Sequence, residues 1–384
     1  MDVTKGISYL FITFFPTTHM DVMEELKRYR EMDIPYSRVL SSMCTIPHEI
    51  AIKAHQLFIN TNLGDPGIFP GTVELEKKLI KLIGDLLHCK NPSGYICSGG
   101  TEANIQGIRS ARNVKAKNKP NIVIPKTAHF SFEKICDILR VEVRRANVDE
   151  SYKVDVSEVE RLIDDNTVAI VGIAGTTELG QIDPIVELSK LAEEKEVPLH
   201  IDAAFGGLVI PFMDNPYPFD FINKGVTSIT IDPHKMGMAT IPAGGIVFRD
   251  EQFLRALEVE TPYLTSKMQF TLTGTRPGTG VASAYAVLKT LGFSGMKAIV
   301  NRCLKNTRII VEEMSKLGFE PVIEPIMNVV AFKTEKAEEI KAELYRKKWV
   351  ISTTREPKAI RFVIMPHVTE EVIKNFISEF RKVI

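Results

Sequence analysis

The sequence predicts an α/β protein with a largely parallel sheet, because short apolar, β-branched runs alternate with helical patterns along most of the chain. The runs are Gly94–Cys97, Asn121–Pro125, Val168–Ala174, Pro198–Ile201, Ser228–Ile231 and Gly244–Phe248, with helices expected from Thr101, Phe130 and Pro184. Several of these runs stop at glycine, aspartate or histidine-lysine clusters, and the carboxyl ends of strands are where such sheets bind ligands. After Gly280 the pattern changes to a long helix with isolated strands, which predicts a small C-terminal α+β domain.

Taken in order, residues 1–19 read as a flexible extension or a misassigned start, with Met20 opening the folded chain. The apolar stretch Ile7–Phe15 is shorter than a membrane span, and only Lys5 precedes it. Residues 20–65 read as helical and too few to form a core alone, so they should pack on the large domain or on a second subunit. The large domain is expected over 66–290, opening with a helix over Val73–Leu87 after Gly71-Thr72. The small domain, 291–384, should continue the long helix Val281–Leu291 past Ser294 to Leu317. Strands at Asn328–Phe332 and Ile360–Ile364 and helices at Lys336–Lys347 and from Thr369 complete it.

The 384 residues carry 48 basic and 48 acidic side chains, and this balance offers no electrostatic footprint for nucleic acid or an anionic membrane. Five cysteines without a C-x-x-C pair suggest neither a disulfide framework nor a zinc site, so no metal is expected and a reducing cytoplasm fits best.

Three motifs carry the chemistry. In SGGTEAN (Ser98–Asn104), two glycines precede Thr101 at a helix start, where free N–H groups and the positive dipole end attract phosphate. The alternative is a Gly-Gly turn with Thr101 as a plain N-cap. In HIDAAFGG (His200–Gly207), Asp202 ends a strand and small residues including Ala204 leave a flat space beside it. A protonated pyridine nitrogen would partner that carboxylate; the alternative is a helix cap. In TSITIDPHKMG (Thr227–Gly237), Lys235 follows His234 after another strand, and a lysine that attacks an aldehyde is activated by desolvation beside a cation. His234 is a candidate phosphate donor. Together the motifs supply what pyridoxal 5′-phosphate (PLP) requires. His129 is a candidate to lie on the cofactor ring or else a core histidine, and Gly175-Thr176-Thr177 either supplies a hydroxyl near the ring oxygen or is a simple turn.

With TAHFSFEK and GIAGTTELG, these motifs in this order resemble the group II PLP-dependent decarboxylases, and most closely the archaeal L-tyrosine/L-aspartate decarboxylases. The resemblance runs from about Met20 to Ile384 and includes SSMCT (Ser41–Thr45), NLGDPG (Asn62–Gly67), TGTRPG (Thr273–Gly278) and RFVIMPH (Arg361–His367). It implies the aspartate-aminotransferase fold (fold type I) and a homodimer with shared active sites. It implies Lys235 as the Schiff-base lysine, Asp202 as pyridine-nitrogen partner and His129 as stacking residue. Gly100, Thr101 and His234 would hold the phosphate, with Thr176 and Ala204 beside the ring. Gly274 and Thr275 would reach the partner's cofactor. Thr45 and Asp65 would wall the substrate pocket, and Tyr263 corresponds to a proton donor on a loop that is shorter here.

The implied reaction is decarboxylation of an L-amino acid, L-tyrosine to tyramine for methanofuran or L-aspartate to β-alanine for coenzyme A, with tyrosine favoured and aspartate second. An aspartate pocket needs a cation or several donors, for which Lys267, Arg276 and Arg361 are candidates, and the alternatives for Arg361 are the α-carboxylate or a structural partner. Competing readings are a carbon-carbon lyase of the sphingosine-phosphate type, a cysteine desulfurase, and a PLP-binding protein without turnover.

Overall fold

The computed structural model describes residues 21–384; the stretch Ile7–Phe15 and the expected start at Met20 lie outside the described residues. Helix α1 (Val22–Glu31) begins where the Asp21 side chain accepts from Met23 N (2.9 Å), satisfying one of the free donors of a helix start. None of its residues is buried, and Val22, Met23, Leu26 and Tyr29 stand more than half exposed. Helices α2 (Glu49–Leu57) and α3 (Pro70–Leu86) follow. The latter turns Leu79, Ile80 and Ile83 onto the sheet at the spacing of one helix face.

The large sheet has seven strands in the order β1-β7-β6-β5-β4-β2-β3. They are β1 (Ser93–Cys97), β2 (Asn121–Pro125), β3 (Glu142–Ala146), β4 (Thr167–Ile173), β5 (Leu199–Asp202), β6 (Val226–Ile231) and β7 (Gly244–Phe248). Strands β3, β2, β4, β5 and β6 run parallel, whereas β7 is antiparallel to both β1 and β6. The parallel strands are connected through helices that cover the faces, among them α4 (Gly100–Lys115), α5 (Ser131–Leu139), α6 (Val156–Leu162) and α7 (Ile185–Glu194). Because both faces are covered, β2 and β4 are buried at every position, which is why they read as unbroken apolar runs. Strand β3 went unmarked in the sequence because it lies at the sheet edge and alternates with charge, Glu142, Arg144 and Arg145 being partly or fully exposed.

Beyond β7 come the short helix α8 (Glu251–Arg255) and a two-stranded ribbon of β8 (Val259–Glu260) and β9 (Met268–Gln269). The long helix α9 (Thr279–Ser315) is broken at Gly292, whose φ of 58° an L side chain rarely adopts. It leads into an antiparallel sheet in the order β10-β12-β11, from β10 (Val329–Lys333), β11 (Ser352–Thr354) and β12 (Ala359–Val363). Helices α10 (Ala337–Arg346) and α11 (Glu370–Phe380) cover it, and Phe332, Phe362, Phe376 and Phe380 pack ring against ring in its core.

Arg276 belongs to the framework. Its Nη1 and Nη2 donate to Glu76 Oε1 (2.7 Å) and Oε2 (3.0 Å), Nη1 also donates to Ile96 O, and the guanidinium lies over the Tyr95 ring. Both charges are buried, so Arg276 is spent on Glu76 and is withdrawn as a candidate for a substrate carboxylate. Arg276→Met, which leaves Glu76 buried without its cation, should cost about 3 kcal/mol of stability, measured by chemical denaturation.

Candidate active site

The carboxyl ends of β2, β4, β5 and β6 and the start of α4 enclose a cavity of about 490 Å³. Helix α4 has Gly99 at its cap position with no side-chain cap; Gly100 N–H is bonded to Asp232 Oδ2, and Thr101 N–H next to it remains available for an anion. The floor of this cradle admits no side chain. A Cβ on Gly100 would lie 2.9 Å from Asp232 Oδ2, and one on Gly244 would lie 2.3 Å from Gly99 Cα, so β7 and the helix start meet backbone to backbone. His234 Nδ1 donates to Ala243 O (2.7 Å), which leaves Nε2 as the nitrogen facing Asp232, 3.8 Å from its Oδ2.

Lys235 and Asp202 line this same cavity. Lys235 Nζ is 3.3 Å from Asp232 Oδ2, which also accepts from Gly100 N (3.0 Å), while Asp232 Oδ1 is buried without a partner. Asp202 is 7% exposed; Oδ1 accepts from Ala204 N (3.1 Å) and Oδ2 from Asn104 Nδ2 (2.8 Å). His129 lines the cavity after β2, and its Nδ1 accepts from Ser131 N (3.2 Å). Burial, ahead of the nearby charges, holds its imidazole below the usual histidine range, so the ring is neutral near pH 7.

Other expected positions fall elsewhere. Thr176 is 1% exposed and its Oγ1 accepts from Gln181 N (2.9 Å), closing the turn after β4; the next residue, Thr177, lines the cavity in its place. Thr45 donates its hydroxyl to His367 Nδ1 (2.8 Å), His367 Nε2 being spent on Val39 O, so Thr45 ties the chain to the C-terminal unit. Its neighbours Met43 and Cys44 line the cavity instead. Asp65 accepts from Thr265 N and Oγ1 beside the β8–β9 ribbon, away from the cavity. Tyr263 is 85% exposed, and neither it nor Gly274 or Thr275 lines the cavity within one chain. Burial pushes the Cys44 thiol up, which keeps it protonated and a poor nucleophile.

Arg361 sits on β12 between Ile360 and Phe362, which face the small core, so alternation turns it to the opposite face, toward the loop after β4. It is 5% exposed. Nη1 donates to Ser352 Oγ (2.9 Å), while Nε and Nη2 have no partner among the described residues. Burial pushes this guanidinium down to about 10, opposed by the charge of Glu178. Sequence reasoning assigned no role to Asp232 or Asn104, and it read Thr177 only together with Gly175 and Thr176 as a source of a hydroxyl; the signal for Asp232 was a charged residue immediately after an apolar strand.

Among the described residues no cluster of acidic, histidine and cysteine side chains suits a metal ion, and no helix is long and apolar enough to cross a membrane. The residues of the cavity fit PLP: an uncapped helix start over glycine for a phosphate, a lysine, and a carboxylate with small neighbours.

Comparison with known proteins gives the same result. The pyridoxal-dependent decarboxylase conserved domain matches residues 48–335. The chain is 80% identical to a probable L-aspartate decarboxylase of Archaeoglobus fulgidus over 95% of its own length and 100% of that protein. It is 53% identical to a probable L-tyrosine/L-aspartate decarboxylase of Methanothrix thermoacetophila, covering 94% of this chain and 95% of the relative. Among solved structures, a sphingosine-1-phosphate lyase of Burkholderia pseudomallei superposes with a TM-score of 0.87 at 24% identity, covering 96% of this chain and 92% of the other. A glutamate decarboxylase of Lactobacillus brevis superposes with a TM-score of 0.88 at 21% identity, covering 96% and 93%. These two likenesses speak to the fold.

Proposed function

The chain belongs to the pyridoxal-dependent decarboxylases, and from that premise we propose that it converts L-aspartate to β-alanine and carbon dioxide, with L-tyrosine as a second substrate. Pyridoxal 5′-phosphate is the cofactor of this family. The observation that carries the reading is the meeting of Lys235 and Asp202 in one cavity beneath the uncapped start of α4. The order of the two substrates departs from the tyrosine preference drawn from the sequence. It rests on the name of the 80% identical relative and on Arg361, a buried cation with two nitrogens unspent, which suits a carboxylate.

When bound, the cofactor supplies an electron sink for the pair released as the Cα–carboxylate bond breaks. The chain's residues hold and orient. Thr101 N–H at the helix start would hold the phosphate, with His234 Nε2 beside it once that ring carries both protons, Nδ1 being bonded to Ala243 O; Lys235 would hold the aldehyde, Asp202 would pair with the pyridine nitrogen, and the neutral ring of His129 would lie against one face. Asp232 holds Lys235 Nζ within the cavity, so Lys235 is the residue placed to move a proton at Cα. Met43, Cys44 and Ile241 stand at the wall of the cavity and narrow it.

We further place the active unit as a homodimer in the cytoplasm, with the product serving coenzyme A formation and tyramine serving methanofuran formation. What supports the dimer is the uncovered apolar face of α1 and the exposed stretch Leu272–Thr275, which a second copy would cover and bring to its neighbour's site. The five free cysteines suit a reducing compartment.

Purified, PLP-loaded protein incubated with each amino acid should release β-alanine faster than tyramine. Arg361→Met should raise the KM for aspartate at least about tenfold. Tyramine alone as product would reverse the order of substrates, and no amine from either would overturn the proposal.

A further inference from the structure

We propose that Asn104 and His200 form a directed hydrogen-bond relay that positions Asp202, so that its carboxylate meets the pyridine nitrogen in a single orientation. The inference deepens the reading of Asp202 given above and rests on it.

His200 and Asp202 are two residues apart on β5 and therefore share a face. The register with β6 sets Ser228 opposite His200 and Thr230 opposite Asp202, and α4 lies over this face, bringing Asn104. All five residues are buried.

The direction of every bond follows from chemistry. An ionised carboxylate only accepts, so the amide of Asn104 turns its NH2 to Asp202 Oδ2 (2.8 Å), with a weaker contact to Ser131 Oγ (3.3 Å). Asn104 Oδ1 then accepts from Thr230 Oγ1 (2.6 Å) and from His200 Nε2 (3.0 Å). His200 must carry its proton on Nε2, and its bare Nδ1 accepts from Ser228 Oγ (2.8 Å). Each donor in the series Ser228, His200, Asn104 points toward the Asp202 carboxylate. The imidazole is neutral because full burial pushes it down to about 4.

Space is reserved for this ring. A Cβ on Gly107, one turn along α4 from Asn104, would lie 2.5 Å from two atoms of the His200 imidazole. A core needing only volume there would be filled more cheaply by an apolar side chain, since a buried polar network is costly unless every member is satisfied. His200 lies behind the cavity and Asn104 at its wall; in this scheme both are positioning residues acting through Asp202.

The test uses the full-length protein loaded with cofactor labelled with ¹⁵N at the ring nitrogen. In the wild type, histidine ¹⁵N spectra should show His200 neutral with its proton on Nε2, with or without cofactor. His200→Phe should move the ring-nitrogen resonance toward that of unprotonated pyridine. It should lower kcat about ten- to a hundredfold, with KM within about twofold. His200→Gln, which keeps a donor for Asn104, should recover most of the loss. Thr230→Val, which removes one of the two donors that fix Asn104 Oδ1, supplies the same readout in smaller measure if His200→Phe does not fold. A proton on Nδ1 of His200, or a His200→Phe protein that loses only thermal stability with the resonance in place, would overturn the relay. Asp202→Asn separates the two layers. If it moves the resonance and His200→Phe does not, the relay alone fails; if it leaves the resonance unmoved, the reading of Asp202 fails with it.

Discussion

Lys235→Ala should lower kcat for decarboxylation by about ten-thousandfold, a loss of about 5.5 kcal/mol of transition-state stabilisation. The substitution removes the one amine that lines the cavity among the described residues and strips Asp232 of its cation, leaving that carboxylate with Gly100 N–H as its hydrogen-bond donor. Lys235→Arg distinguishes the two effects. A guanidinium keeps a positive charge beside Asp232 but does not deprotonate in proteins, so stability should return while activity stays lost. Borohydride reduction of the loaded wild type, followed by peptide mass spectrometry, should place the pyridoxyl mass on the peptide containing Lys235. A label on any other lysine, or an Ala variant with ordinary turnover, would refute the assignment.

Asp202→Asn should reduce kcat about a thousandfold with a much smaller change in KM, because the carboxylate is needed as electrons reach the ring rather than when substrate first binds. The amide is not an innocent replacement. Both Asp202 oxygens already accept, one from Ala204 N and one from Asn104 Nδ2, so an NH2 at either position faces a donor. The loss therefore combines the missing charge with a forced rotation. Asp202→Glu, which restores charge but lengthens the arm, should recover only part of the rate. Steady-state kinetics on the three proteins at saturating cofactor decides the matter, and equal kcat for Asn and wild type would remove Asp202 from the reaction.

The parallel part of the sheet was legible because buried strands leave continuous β-branched runs, and the cavity was legible because those runs stop at Gly175-Thr176-Thr177, Asp202 and Asp232 to Lys235. The direction of β7 was not, since a run such as GGIVF reads alike in either sense. Which hydroxyl of Thr176-Thr177 faces the cavity depends on the turn closed by Gln181 N, a contact local pattern does not encode. Asn104 and His200 stood inside quoted motifs yet received no role. Two-residue alternation already put His200 on the face of Asp202, but only strand register and helix docking bring Ser228, Thr230 and Asn104 to it. The cation candidates divide on tertiary grounds as well: Arg276 has a buried carboxylate of its own, whereas Arg361 has none within bonding reach.

The antiparallel course of β7 governs how far the reactive amine travels. The segment Asp232–Ala243 leaves the sheet and re-enters it at the same end, between adjacent strands, and His234 N donates to Ala243 O (3.0 Å) across its neck. Internal bonds from Lys235 N to Asp232 O and from Ala239 N to Pro233 O stiffen it further. So tethered, the main chain contributes little to the stroke of Nζ, which comes from rotation about the lysine's own methylene bonds. The positional freedom of that amine is therefore that of a side chain on a fixed stem and needs no loop opening.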